Sequence, residues 1–72
     1  MKSDPTAIRA RRERAGHTRP TLGKASGVSQ QRIAELETDA CPLLPTTARK
    51  LAEALGCDIP DIVTDLLEVT AR

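Results

Sequence analysis

The sequence predicts an all-α domain of five short helices, and three observations predict it. Apolar residues recur at intervals of three and four rather than two. The segments they mark begin near a proline or a small capping residue and mostly end at glycine, the asymmetry expected of helices. No alternating apolar and polar run bounded by turn signals is present, so no strand is expected. At 72 residues the chain is read as one compact domain, 1–72. A domain this small buries only about 60% of its unfolded surface. With no Trp, Tyr or Phe, the core must be built from Leu, Ile, Val and Ala.

In the first helix Pro5 follows Ser3-Asp4, and Gly16 closes the run. Ile8, Arg11, Arg12 and Ala15 fall at i, i+3, i+4 and i+7, the core-facing stripe of an amphipathic helix. Arg11 can lay its stem on the core and keep its charge in water. Arg12 lies nearer the centre of the stripe and needs a partner. Thr18 is the N-cap of a second helix that tolerates Pro20 in its first turn. Leu22 and Ala25 are expected to face inward there, and Gly27 breaks the helix. Ser29 caps a third helix, Gln30 to Thr38. Two short helices joined by a tight glycine-containing turn make a helix-turn-helix unit, 18–38.

A loop, Asp39 to Leu44, contains Pro42. Pro45 opens a fourth helix with the stripe Ala48, Leu51, Ala52 and Leu55, and Gly56 stops it. Asp58 caps a fifth helix, with Asp61 as the acidic end of a capping box and Ile59, Ile62, Val63 and Leu66 as the apolar face. Helices four and five together occupy 45–69.

Net charge is only +1, but it is unevenly spread. Residues 1–36 carry eight basic and three acidic side chains, and residues 37–72 carry three basic and seven acidic. A basic first half can face a polyanion while an acidic second half is kept away from it. Two solvated faces of opposite sign would show the same split. No stretch reaches the about 20 apolar residues of a membrane span, and Met1 to Arg9 lacks the apolar core of a secretory signal. A soluble, cytoplasmic protein is expected. Cys41, Cys57 and the single histidine do not supply the four ligands of a structural zinc site, and no cofactor is expected. A disulfide is open by sequence, although a cytoplasmic chain would keep both thiols reduced. No nucleophile, base and orienting group stand together in the pattern, so an enzyme is not expected.

The third helix carries the functional argument. At about 100° per residue with Ile33 at 0°, Leu36 falls near 300° and Glu37 near 40°, so these three point into the domain. A carboxylate on the inward side needs a partner, because an unpaired buried charge costs several kcal/mol. Arg12 is the natural candidate, unless both groups reach solvent at the domain edge. On the outward side stand Gln30, Gln31, Arg32 and Glu35, with Ala34 as a small gap and Thr38 at the end. The DNA major groove admits an α-helix; glutamine can bond adenine, glutamate can accept from cytosine, and arginine can contact guanine or phosphate. A merely solvated helix face uses the same residue types, and it is the position after a helix-turn junction that favours DNA.

The stretch Ile8 to Val63, about four-fifths of the chain, resembles the Cro/C1 (Xre) family of phage and bacterial repressor domains, which have a lambda-repressor-like fold. The resemblance rests on Gly23, Gly27, Val28, Ile33 and Leu36 in the turn segment 18–37, and on Leu51-Ala52-Glu53-Ala54-Leu55-Gly56. The run Gln30-Gln31-x-Ile33-x-x-Leu36-Glu37 is similar to the recognition helix of 434-type phage repressors. The resemblance implies that Thr18 and Arg19 bond phosphate, that Gln30, Gln31 and Glu35 face base edges, and that Arg32 and Thr38 touch backbone at the groove rim. With Ser29 at the helix start, these form the expected DNA-binding set. The family also pairs a first-helix arginine with the glutamate ending the third helix, which matches Arg12 and Glu37, and Arg12 is expected to be shared with a phosphate. His17 and Ser26 replace larger apolar residues, Gly23 replaces alanine, and Asp39 stands where glycine is common. His17 is expected to fill part of an apolar slot with its ring edge exposed, the other reading being a pH-sensitive phosphate contact.

These readings imply a regulator binding a palindromic operator as a homodimer, because one short helix spans few base pairs. The chain is too short for a separate oligomerisation domain, so Leu43, Leu44, Ile59, Ile62 and Leu66 are the expected dimer interface, unless they all pack within one copy. The alternative is an antitoxin or adaptor whose fourth and fifth helices grip a protein partner, since fold alone does not fix function.

Overall fold

The computed structural model describes residues 1–64. Four α-helices and one 3-10 turn follow in order: α1 (Pro5–Arg14), α2 (Arg19–Ser26), α3 (Gln30–Thr38), α4 (Pro45–Leu55) and the turn Ile59–Asp61. Three of the helix starts are closed by side chains. The Asp4 carboxylate accepts from the Ala7 amide at 3.2 Å, and the Ser29 hydroxyl accepts from the Arg32 amide at 3.1 Å. Thr18 and Thr21 cap each other reciprocally, the Thr18 amide donating to Thr21 Oγ1 at 2.8 Å. Each such cap contributes about 1 kcal/mol. Gly27 ends α2 at φ 78°, a left-handed conformation that a side chain would strain, and this turns the chain so that α3 begins three residues later, at Gln30.

Ile8, Leu22, Ile33, Leu36, Leu51 and Ile62 are fully buried, one or two from each segment, so the core sits where all the helices meet. Burying each such side chain contributes about 1.5–3 kcal/mol. α1 packs on α3, and α2 packs on both α3 and α4. The outer face of α3 is thereby left uncovered.

The fold departs from the sequence expectation in four places. The fifth helix does not form within the described residues: the 3-10 turn Ile59–Asp61 leads into a turn at Ile62, a single bridge residue at Val63 and a bend at Thr64. An α-helix there would need the Thr64 amide for a carbonyl four residues back, but that amide donates to the Lys2 carbonyl at 3.0 Å. Leu66 and the rest of the expected helix to 69 lie outside the described residues.

Second, residues 1–4 form an extended strap. The Ser3 amide donates to the Cys41 carbonyl at 2.8 Å and the Asp4 amide to the Ile62 carbonyl at 2.9 Å, while the Met1 carbonyl accepts from the Leu43 amide at 2.9 Å. Isolated antiparallel bridges pair Lys2 with Pro42 and Ser3 with Val63, although no regular strand is present among the described residues. Third, Ala15 and Ala25 are exposed rather than inward. Ser26 takes the inward place in α2, its hydroxyl donating to the Leu22 carbonyl at 2.7 Å and accepting from the Val28 amide at 3.2 Å, so no buried polar group is stranded. Fourth, Gly23 is not simply a weakened helix position. A Cβ there would lie 2.9 Å from the Val28 carbonyl oxygen, so the turn before α3 packs directly on the α2 backbone.

Candidate nucleic-acid interface

Two cations, Arg12 and Arg19, converge on the Glu37 carboxylate at the end of α3. The Glu37 side chain is 1% exposed and the Arg12 side chain 12%. Arg12 Nε donates to Glu37 Oε2 at 2.7 Å and Nη2 to Oε1 at 3.2 Å, a side-on two-point contact joining α1 to α3. The third nitrogen, Nη1, donates to the His17 carbonyl at 2.9 Å and ties down the start of the helix-turn-helix unit. The hydrogen bond to Glu37 holds the Arg12 guanidinium above its ordinary range, against the opposing effect of burial. This leaves Arg12 mostly enclosed, so the expected sharing with a phosphate rests on very little exposed surface. Arg19, at the first position of α2, donates from Nε to Glu37 Oε1 at 3.3 Å and is 45% exposed. Its tip stands at the surface while its base is held in register with α3.

On α3 itself Ile33 and Leu36 are buried and Gln30, Gln31, Glu35 and Thr38 are exposed, with Ser29 exposed at the start. Neither glutamine side chain has a hydrogen-bond partner among the described residues, so both amides are available to a ligand. Thr38 Oγ1 donates back to the Ala34 carbonyl at 2.7 Å. Arg32 is half-buried: Nη1 donates to Glu35 Oε1 at 3.1 Å and Nη2 to the Pro42 carbonyl at 2.7 Å. It therefore lies along the rim, bridging α3 to the loop 39–44. Gln31, Arg32, Glu35, Thr38 and Pro42 line one side of a shallow groove. Thr18 is exposed beside Arg19, and His17 is half-buried with Nδ1 3.0 Å from Thr21 Oγ1, a polar contact rather than a filled apolar slot.

All eight residues of the expected DNA-binding set thus lie along α3 or at the start of α2. Of the expected dimer residues, the four that are described do not gather on one surface. Leu43 and Ile62 are 4% and 0% exposed inside the core of a single copy, because the strap draws the loop and the segment after the turn onto the helices. Ile59 is half-buried against the core, and among the described members of this set Leu44 alone is open, at 69%. Leu66 lies outside the described residues. Cys41 and Cys57 are free thiols, and among the described residues no cluster of three or more metal-ligating side chains occurs. No described helix is long and apolar enough to cross a membrane.

Sequence reasoning missed two contributors. Ser3 is fully buried yet lies outside every helix, where periodicity carries no signal. The Pro42 carbonyl that anchors Arg32 is a backbone group, which residue identity does not reveal. A family model described as a helix-turn-helix domain matches residues 6–66 of the chain. No curated protein matches it.

Proposed function

The chain belongs to the helix-turn-helix domain family, and from that premise we propose that it is a sequence-specific transcription regulator of double-stranded DNA, of the Cro/C1 repressor type, acting in the cytoplasm as a homodimer on a palindromic operator. The observation that carries this reading is the pair of unpartnered glutamines, Gln30 and Gln31, at the exposed start of an otherwise well-anchored α3. Inserted in a major groove, their amides can bond adenine edges, while Glu35 can accept from cytosine. Arg19 and Thr18 at the start of α2 meet phosphate, where the helix terminus adds a favourable partial charge. The Arg12–Glu37–Arg19 cluster sets the angle between these two groups of contacts. One α3 covers only a few base pairs, so two copies on half-sites about 34–36 Å apart are required for specificity.

The test is selection of bound duplexes from a random library, with Gln30→Ala and Gln31→Ala beside the wild type. A palindromic motif whose preferences relax in the glutamine variants is the expected result. No enriched motif at moderate salt overturns the reading and turns attention to a protein partner, the antitoxin or adaptor alternative.

A further inference from the structure

The Ser3 hydroxyl sits at 0% exposure between α3 and the loop that follows it, although Ser3 is 33 residues away from Leu36 in sequence. It accepts from the Cys41 amide at 3.0 Å. Its one proton is directed at the Asp39 carbonyl, 3.1 Å away, and the Leu36 carbonyl, 3.3 Å away. These are groups that a helix end leaves without partners. About a third to a half of helices close such groups with a residue in the left-handed conformation, usually glycine. Here Asp39 is extended, at φ −135° and ψ 154°, and the local closures of α3 are the bond from the Asp39 amide to the Glu35 carbonyl and weak bonds from the Cys41 thiol to the Glu35 and Asp39 carbonyls. Ser3 adds a stronger hydroxyl closure from a distant segment, and it also reaches the Leu36 carbonyl, which the thiol does not.

We infer that Ser3 is a positioning residue for the DNA-reading face, a remote cap that fixes the end of α3 and the loop 39–43 against it. The inference rests on the DNA-binding reading above. The path from the strap to that face is continuous. The Ser3 hydroxyl and the Ser3 amide together hold both backbone groups of Cys41, and the Met1 carbonyl holds the Leu43 amide. Pro42 lies between them, and its carbonyl receives Arg32 Nη2 at 2.7 Å. Arg32 in turn holds Glu35 at 3.1 Å. Loss of the hydroxyl leaves the part-buried Cys41 amide without its acceptor, and the loop gains the freedom to shift outward with Arg32 attached. Ser3 touches no DNA in this arrangement; it acts through the loop.

Two measurements on the full chain test this, for wild type, Ser3→Ala and Ser3→Thr. Ser3→Thr keeps the hydroxyl and serves as the conservative rescue. The first is amide hydrogen exchange at Cys41 and Leu43, with Leu51 in α4 as an internal reference. At least tenfold faster exchange at the two loop amides in Ser3→Ala, with Leu51 changed less and Ser3→Thr nearer wild type, is expected. The second is affinity for the selected duplex and for an unrelated duplex, at a temperature where circular dichroism shows each variant folded. A roughly tenfold loss on the selected duplex in Ser3→Ala, with the unrelated duplex within twofold, is expected, and a purely stabilising role would leave both unchanged. Equal losses on both duplexes, or unchanged loop exchange, overturn the inference. If the wild type selects no duplex, the DNA reading fails and the positioning role falls with it, whereas a motif in the wild type with no effect of Ser3→Ala overturns the positioning role alone.

Discussion

Arg12 and Glu37 meet side-on across the α1–α3 contact, with Nε to Oε2 at 2.7 Å and Nη2 to Oε1 at 3.2 Å. Glu37 is enclosed, so removing Arg12 leaves its charge to the single longer contact from Arg19 at 3.3 Å, and removing Glu37 leaves the mostly enclosed Arg12 without an anion. Breaking such a pair from one side costs about 3–5 kcal/mol. A 72-residue domain has only about 4–11 kcal/mol in total, on the order of 0.05–0.15 per residue. Glu37→Ala and Arg12→Ala are each expected to lower the melting temperature severely, and the double variant to lose much less than their sum. Thermal melts of all three decide it, and additive losses would show that the two side chains do not act as a pair.

Gly23 offers a contrary expectation to helix propensity. Replacing an interior helical glycine by alanine ordinarily gains about 0.8–1 kcal/mol, or about 4–8 °C for a domain of 60–100 residues. Here the added Cβ meets the Val28 carbonyl oxygen at 2.9 Å, a backbone atom that moves only if the turn into α3 moves. Gly23→Ala is therefore expected to give no rise in melting temperature and to weaken binding to the selected duplex. A gain of several degrees with unchanged affinity would mean that the turn yields freely.

How much was legible in the sequence follows from where each constraint resides. Proline, glycine and capping residues are local signals, and they placed α1 to α4. The Arg12–Glu37 relationship was legible because two charges on apolar stripes require each other. The strap was not legible: its four residues carry no period, and their ordering comes from backbone groups of segments about 40 and 60 residues away. The same long-range pairing explains why the apolar run Ile59, Ile62, Val63 reads as a helix yet leaves helical geometry after Asp61. Ala15 and Ala25 were misplaced for a different reason. Alanine contributes little to either face, so a small rotation of the helix decides its burial.

Cys57 provides a pH-dependent check on the packing of α4 against the turn. Burial pushes its thiol up, Arg11 opposes this, and Asp61 and Asp58 add to it. A group raised in the folded state contributes stability that is fully present below its unfolded value, about 8.5 for a thiol, and is lost as pH rises through the folded value. The wild type is expected to lose stability as pH rises above about 8.5, and Cys57→Ala to lose less over the same interval. Parallel curves for the two proteins would show that the thiol is no more enclosed than in the unfolded chain.

Leu44 is the exposed large apolar side chain of the described residues, at 69%, and it adjoins the loop at the end of the groove. Leu44 is also the N-cap of α4 and makes no side-chain cap bond, so Leu44→Asp is expected to keep the fold and to gain about 0.5–2 kcal/mol from a new cap. If two copies meet through this loop, the variant loses cooperative occupancy of a palindromic duplex while binding a single half-site as before. Gel-shift titrations on full and half operators separate these outcomes, and unchanged cooperativity would place the contact between copies elsewhere.

Arg19 and Gln31 should fail in different ways, and the difference separates phosphate contact from base reading. Arg19 holds Glu37 at 3.3 Å but is 45% exposed, and its loss leaves the enclosed Glu37 carboxylate still bound to Arg12 at two points, so little stability is removed. A phosphate contact releases counterions, so Arg19→Ala is expected to weaken every duplex alike and to make the salt dependence shallower by about one unit of log–log slope. Gln31→Ala removes an amide that faces outward without a partner, so the salt slope is expected to stay constant. What it loses is discrimination at one position of each half-site, about 1–3 kcal/mol against the wrong base. Affinity titrations at several salt concentrations, on the selected duplex and on single-base variants, distinguish the two. A steepness change in Gln31→Ala, or a base-specific loss in Arg19→Ala, would mean that α3 enters the groove in a different orientation from the one assigned to it.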